Sequence, residues 1–173
     1  MREVVFDTVY EDYIDENFRY DPESGLVWWT KKGSNSRKVD KPCGSKIRTG
    51  HLSMHLCPSN QRPLPMLIHR LSWRIYYEVW PASHIDHING VRDDNRIDNL
   101  RLADPSENAA NARRYKSNTL GYKGVHKLTC GRYKARVQFR GERTLLGVFD
   151  TPEEAYEAYV RGAREIQGRF ARV

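Results

Sequence analysis

Cysteine is scarce: Cys43, Cys57 and Cys130 are three in 173 residues, odd in number, far apart and without a CxxC pair. A zinc ribbon and a CxxC redox motif are thereby excluded, and each thiol is expected to be a small buried or half-buried residue in a reducing compartment. Long apolar runs are absent too. No uncharged stretch approaches the roughly 18 residues that span a bilayer, and Met1 to Asp15 carries acids where a signal peptide carries a basic end and an apolar core. The chain is therefore expected to be soluble and cytoplasmic, with no membrane partner. Apolar residues make up 39%, below a globular norm of roughly 45–50%, so the cores should be small, while 11% aromatic content argues against wholesale disorder. The length suits one ordinary domain or two small ones.

What is abundant is positive charge. Lys and Arg number 29 against 22 Asp and Glu, a net charge of +7 that favours polyanionic partners. The charge is uneven. Residues 1–23 carry −6, 24–83 carry +8, 84–114 carry −1 and 115–173 carry +6. Two basic blocks flanking a nearly neutral centre are what phosphate-contacting surfaces around a cation-holding pocket would look like. The acidic residues 1–17 fit a short helix on the core or a partner contact equally well.

Local patterns place the elements. The turn sequence Asp21 to Gly25 precedes a β-prone run, Leu26 to Trp29, and a basic loop from Lys31 to Lys41. Alternation of Leu52, Met54 and Leu56 predicts a half-buried strand, closed by a Pro-rich turn over Pro58 to Pro65. Leu67, Leu71, Ile75 and Val79 repeat at four, giving an amphipathic helix that Pro81 stops. An extended piece around Ile85, a polar loop from Asn89 to Asp98 and a second extended piece from Asn99 to Leu102 follow. A helix capped by Asp104-Pro105-Ser106-Glu107 should then run to about Arg114. The polar, glycine-containing stretch Ser117 to Gly121 marks a domain boundary. Beyond it, Tyr122 to Leu128, Tyr133 to Arg140 and Thr144 to Phe149 predict an antiparallel meander, and the capping box Thr151 to Glu154 starts a final helix whose face is Ala155, Ala158, Tyr159, Gly162, Ala163 and Ile166. The fold class is α+β.

The segment His84-Ile85-Asp86-His87-Ile88-Asn89-Gly90, continuing through Asp94 to Arg101 and on to Ser106-Glu107-Asn108, puts an Asp-His pair and two later Asn residues in a strand-loop-strand-helix frame. Here the chain resembles the HNH endonucleases, most closely the phage-type homing enzymes. The likeness extends upstream through Tyr20 to Gly25 and His69 to Trp73, covering roughly residues 18–114. It implies a nuclease domain over 1–116 with a β-rich N-terminal extension and a ββα-metal core at about 82–114.

Hydrolysing a phosphodiester needs an activated water, positive charge on the phosphate oxygens and stabilisation of the departing oxygen. One hard cation supplies two of these, and the resemblance makes Asp86 and Asn108 its ligands. Oxygen donors suit Mg²⁺, with Mn²⁺ as the alternative; the family's third letter is Asn108 here rather than His, which moves the preference away from zinc-like ions. His87, on the other side of the strand from Asp86, is assigned as general base. Asn99 is expected to tie the polar loop to the first strand and so hold His87 in orientation. His69 reads as a packed histidine, His84 could approach the site from the strand start, and His51, His55 and His126 have no partner visible in sequence. Arg96 and Arg101 are candidate phosphate contacts, and Asp93, Asp94 and Asp98 look like loop caps.

Residues 117–173 hold a second resemblance. Tyr122-Lys123-Gly124-Val125, Gly131 to Ala135, Leu146 to Thr151 and Glu153 to Tyr159 look like the AP2 DNA-binding domain, whose three-stranded sheet enters the major groove. The available contact residues are Lys123, His126, Arg132, Lys134, Arg136, Gln138, Arg140 and Arg143. Arg136, Gln138 and Arg143 fall on contact positions of the plant repeats; Leu128, Cys130 and Leu145 depart from them, so the plant target does not carry over. The whole reads as a metal-dependent endonuclease on double-stranded DNA, by default a monomer. A non-catalytic DNA-binding regulator with a degenerate nuclease fold is one rival, and a structure-specific or nonspecific nuclease is the other. RNA fits poorly, because its deep, narrow major groove excludes such a sheet.

Overall fold

Cap chemistry sets the start of two helices in the computed structural model, which describes residues 8–33, 38–113 and 118–173. The chain divides into two compact units, Met1–Leu102 and Ala103–Val173.

In the first unit, α1 (Thr8–Asn17) leads directly into a hairpin of β1 (Phe18–Asp21) and β2 (Leu26–Trp29). Its turn is held by Asp21, whose carboxylate accepts from the Ser24 hydroxyl at 2.6 Å and the Glu23 amide at 3.1 Å. A second sheet, in order β3 (Ser45–Lys46), β4 (Leu52–Leu56), β5 (Leu64–Leu67), is antiparallel and runs straight into α2 (Ile68–Tyr77). The core of the unit is Ile14, Phe18, Val27, Cys43, Leu56, Met66, Ile68 and Leu71. The acidic start is thus a packed helix as far as it is described: Glu11 and Asp15 of α1 hold the Arg74 guanidinium of α2 at 2.7 and 3.2 Å.

Three expectations are corrected here. The end of the Pro-rich segment is β5, not turn; as an edge strand it tolerates Pro65, which has no amide hydrogen to offer a neighbour. The helix after it ends at Tyr77, because Glu78 adopts a left-handed conformation (φ 59°), and Val79 lies beyond it, 60% exposed. Cys57 and Cys130 are exposed, and Cys43 alone is buried. The unit closes with a two-stranded sheet of β6 (His84–His87) and β7 (Leu100–Ala103), separated by the polar loop.

The second unit opens with α3 (Pro105–Ala110), where Asp104 and Glu107 form a reciprocal capping box with both hydrogen bonds at 2.8 Å. This helix ends earlier than expected, with Asn111 as its C-cap; part of the expected extension lies outside the described residues. The polar stretch near residue 117 is the boundary expected from sequence, whereas the division at Leu102 groups α3 with the second unit. Ala103 and Ala110 pack with Phe139 and Phe170, and the Lys123 ammonium donates to the carbonyls of Ala110 (2.6 Å) and Ala112 (2.8 Å). Strands β8 (Val125–Lys127), β9 (Tyr133–Phe139) and β10 (Glu142–Phe149) form the antiparallel meander in order β10-β9-β8. On its inner face Val125, Ala135 and Val137 meet Ala155, Ala158, Tyr159 and Ala163 of α4 (Pro152–Gln167), whose N-terminus is the Thr151–Glu154 capping box.

Candidate active site

Consecutive residues of a strand project to opposite faces, and β6 uses this to separate two buried polar groups. Asp86, 6% exposed, meets Arg101 of β7: Nε and a terminal nitrogen of the guanidinium both lie 2.8 Å from Oδ2. His87, 4% exposed, donates through Nε2 to the side-chain oxygen of Asn95 at 3.1 Å, which leaves the lone pair of the neutral ring on Nδ1. Burial lowers the His87 pKa, opposed by the Asn95 hydrogen bond and the negative charges of Asp86 and Asp94, so the ring is neutral at pH 7.

The loop between β6 and β7 is knitted by its own polar side chains. Asn99 donates through Nδ2 to the Asp94 carbonyl (2.7 Å) and accepts from the Asn89 amide (2.9 Å), while its carbonyl accepts from the Ile88 amide (2.9 Å). Asp94 receives Asn89 Nδ2 at 2.7 Å and a bidentate fork from Arg96 at 2.8 and 2.7 Å, which lowers its pKa to about 2. A direct partner of His87 is Asn95, to which no sequence pattern points. Its carbonyl accepts from the Tyr20 hydroxyl at 2.7 Å, and Pro22 accepts from the Ile97 amide at 3.2 Å. Gly25 (φ +74°) lies so close that a Cβ there would come within 2.4 Å of the Arg96 nitrogen and 2.6 Å of the Asn95 carbonyl carbon. The upstream Tyr20 to Gly25 turn thereby packs against the loop segment that carries Asn95.

Two further histidines reach the same place. His69, second residue of α2, is 5% exposed; His51 is half-buried just before β4. The ring centroids of His51 and His69 are 5.2 Å apart, of His69 and His87 5.1 Å, and of His51 and His87 5.7 Å. One nitrogen from each ring lies within 4.8 Å of the others. Latches on both sides explain the convergence: Arg92 donates to the Thr49 carbonyl at 2.7 Å, Lys46 pairs with Asp93 at 2.7 Å, and the Thr49 hydroxyl bonds His51 Nδ1 at 3.0 Å. Burial pushes the His69 pKa down to about 3 and lowers that of His51, each assisted by neighbouring positive charge. Nothing in sequence could have found this trio, since the three lie on separate elements with no short spacing.

The remaining expected site residues are dispersed. Asn108 is half-buried on α3, in the second unit, and His84 is exposed at the start of β6. Arg96 and Arg101, expected at phosphate, are engaged by Asp94 and Asp86. Lys123 is turned inward, with a third carbonyl, that of Arg172, at 3.1 Å. Arg132 pairs with Asp150 at 2.8 Å and reaches the Val148 carbonyl at the sheet end. Arg140 reaches toward Asp104 and Glu107, both at 3.4 Å. By contrast, Lys134, Arg136 and Gln138 alternate with the buried Ala135 and Val137 on β9 and so share the outward face. Register puts His126 opposite Lys134, Leu145 opposite Arg136 and Arg143 opposite Gln138. Arg136 Nε donates to His126 Nε2 at 3.1 Å.

The Asp86 carboxylate is the kind of oxygen donor that a hard cation prefers, and Asn108 belongs to the second unit.

Residues 66–110 match the family profile described as HNH endonuclease. The chain is 37% identical over 112 residues to "Protein 3.8" of Escherichia phage T7, an alignment covering 57% of this chain and 88% of that protein. It is 34% identical over 108 residues to an uncharacterized HNH endonuclease of Acanthamoeba polyphaga mimivirus, covering 61% of this chain and 56% of that protein. No solved structure matches. Among the described residues, no helix is long and apolar enough to cross a membrane.

Proposed function

Because the chain belongs to the phage-type HNH endonuclease family, we propose that it is a metal-dependent endonuclease that hydrolyses phosphodiester bonds in duplex DNA, with site-specific, homing-type recognition. His87 acts as general base, and the resemblance assigns Asp86 and Asn108 to one divalent cation, Mg²⁺ or Mn²⁺. The observation that carries this reading is the buried His87 ring held by Asn95 through Nε2. That bond aims a single basic nitrogen, Nδ1, and donates away the other, as a base for water requires. After proton transfer the imidazolium is met by the Asn95 oxygen and by the charges of Asp86 and Asp94. Asn99 holds the loop that carries Asn95, and Arg101 holds the Asp86 carboxylate in place. When bound, the metal supplies positive charge to the phosphate and to the leaving oxygen.

The outward face of the β8-β9-β10 sheet, with His126, Lys134, Arg136, Gln138 and Arg143, is the proposed DNA-docking surface, in the manner of an AP2-like domain. A second binding surface raises the effective concentration of phosphate at a weak metal site. Supercoiled plasmid incubated with Mg²⁺, with Mn²⁺ and with EDTA tests the assignment: nicked or linear product with either metal and none in EDTA is expected. Intact plasmid under all three conditions, with DNA binding retained, would leave the non-catalytic regulator as the function.

A further inference from the structure

We propose that His51, His69 and His87 form a second metal site, specific for a transition-metal ion of the zinc class, and that filling it switches the nuclease off. The first half stands on geometry alone; the second rests on the proposed role of His87.

Three neutral imidazoles are a borderline donor set. They suit Zn²⁺, Co²⁺, Ni²⁺ or Cu²⁺, whereas Mg²⁺ demands oxygen, so the trio and the Asp86 carboxylate select different ions. In a tetrahedral zinc site with Zn–N of about 2.0–2.1 Å, ligand nitrogens lie roughly 3.4 Å apart. The trio, within 4.8 Å, needs a closure of about 1.4 Å at most, within reach of small side-chain rotations. A second observation points the same way. His69 is 95% buried by its 5% exposure, and its Nδ1 has no hydrogen-bond partner among the described residues. Buried polar atoms are seldom left so, and the cost of leaving one is about 1–3 kcal/mol. The neighbouring rings are already oriented from outside: His51 by the Thr49 hydroxyl at 3.0 Å and His87 by Asn95 at 3.1 Å, the kind of supporting contact that fixes imidazole ligands.

Occupation of the trio and base catalysis exclude each other. A neutral imidazole carries one N–H and one lone pair; when the lone pair is in a metal bond, none remains to take a proton from water. Zinc therefore competes with the proton for His87, and Mg²⁺ does not relieve it, because the two ions occupy different donors.

Metal-stripped full-length protein titrated with Co²⁺ tests binding without reference to activity. The expected result is the visible absorption of a nitrogen-ligated, four-coordinate Co²⁺ at one ion per chain. It should persist in excess Mg²⁺, be abolished by one equivalent of Zn²⁺, and weaken at least about tenfold in affinity in both His51→Ala and His69→Gln. His51 is half-buried on a loop, so its truncation does not disturb the core. Plasmid nicking in Mg²⁺, normalised for each variant to its own zinc-free rate, should fall at the zinc concentration that displaces cobalt in the parent and resist zinc at least about tenfold better in the variants. Absence of the cobalt band, or an unchanged band in both variants, overturns the site. Zinc inhibition with the same midpoint in all three proteins, or stimulation by zinc, overturns the switch. A protein that binds Co²⁺ through these histidines but never nicks DNA refutes the nuclease reading and the switch while leaving the site.

Discussion

His87 donates to Asn95 at 3.1 Å, and Asn95, at 1% exposure, is buried more deeply than the histidine it orients. The pair makes the loop, not the strand, the element that sets the direction of the base. Asn95→Ala should lower kcat by about 10²-fold or less, the scale of general-base catalysis, with little change in KM. His87→Ala should abolish nicking while DNA affinity stays within a few-fold. The acid limb of kcat/KM should lie below 6.5, since burial depresses the base. An Asn95→Ala enzyme with unchanged kcat and pH profile would remove the orienting role.

Gly25 is the closest approach in a contact between the N-terminal hairpin and that loop that also includes the Tyr20–Asn95 and Pro22–Ile97 hydrogen bonds. Gly25→Ala meets both a left-handed φ and backbone atoms at 2.4 and 2.6 Å, so the Asn95–Arg96 segment must move. Thermal unfolding should show a loss of about 2 kcal/mol or more, with nicking reduced further than stability explains. Gly121→Ala, with φ +85° and nothing within 4 Å, should cost about 1 kcal/mol. Equal effects would contradict the close approach.

Arg101 distinguishes an internal role from a phosphate contact. Its side chain is 12% exposed and that of Asp86 8%. Arg101→Met strips two 2.8 Å contacts from a buried carboxylate and should destabilise the first unit by about 3–5 kcal/mol. Phosphate contact would instead reduce the salt dependence of DNA binding by about one unit of slope, with stability unaltered.

On the second unit, Arg136→Ala and Arg143→Ala should each weaken DNA binding and lower the slope of log affinity against log salt by about 0.9. Neither should shift the melting temperature much. Lys123→Met should do the reverse, because its ammonium serves three carbonyls inside the unit. Salt-titrated binding and calorimetry on the three variants separate the two behaviours.

Asp94 gives the loop an acid dependence of definite sign. Its folded pKa, about 2, lies below the ordinary 3.8 because the Arg96 fork and Asn89 favour the carboxylate. A depressed pKa contributes stability that is complete above pH about 4 and is lost as pH falls toward 2. Asp94→Asn should remove this dependence, measurable as amide exchange of the Asn89–Asn99 loop across that range.

The sequence alone dictates what repeats or caps locally. The Asp104 and Thr151 capping boxes, the alternation that turns Ala135 and Val137 inward, and the ordered set Asp86, His87, Asn99 and Asn108 all declare themselves within short spacings. That much follows from helical and strand periods and from side chains that bond their own neighbours. Folding decided the rest. Only tertiary contact put Asn95 against His87, set Gly25 against the loop, turned Lys123 inward, engaged Arg101 with Asp86 and gathered His51 and His69 around the base. These residues meet across separate elements, where steric fit and the pairing of buried polar groups, rather than any period, choose the partners.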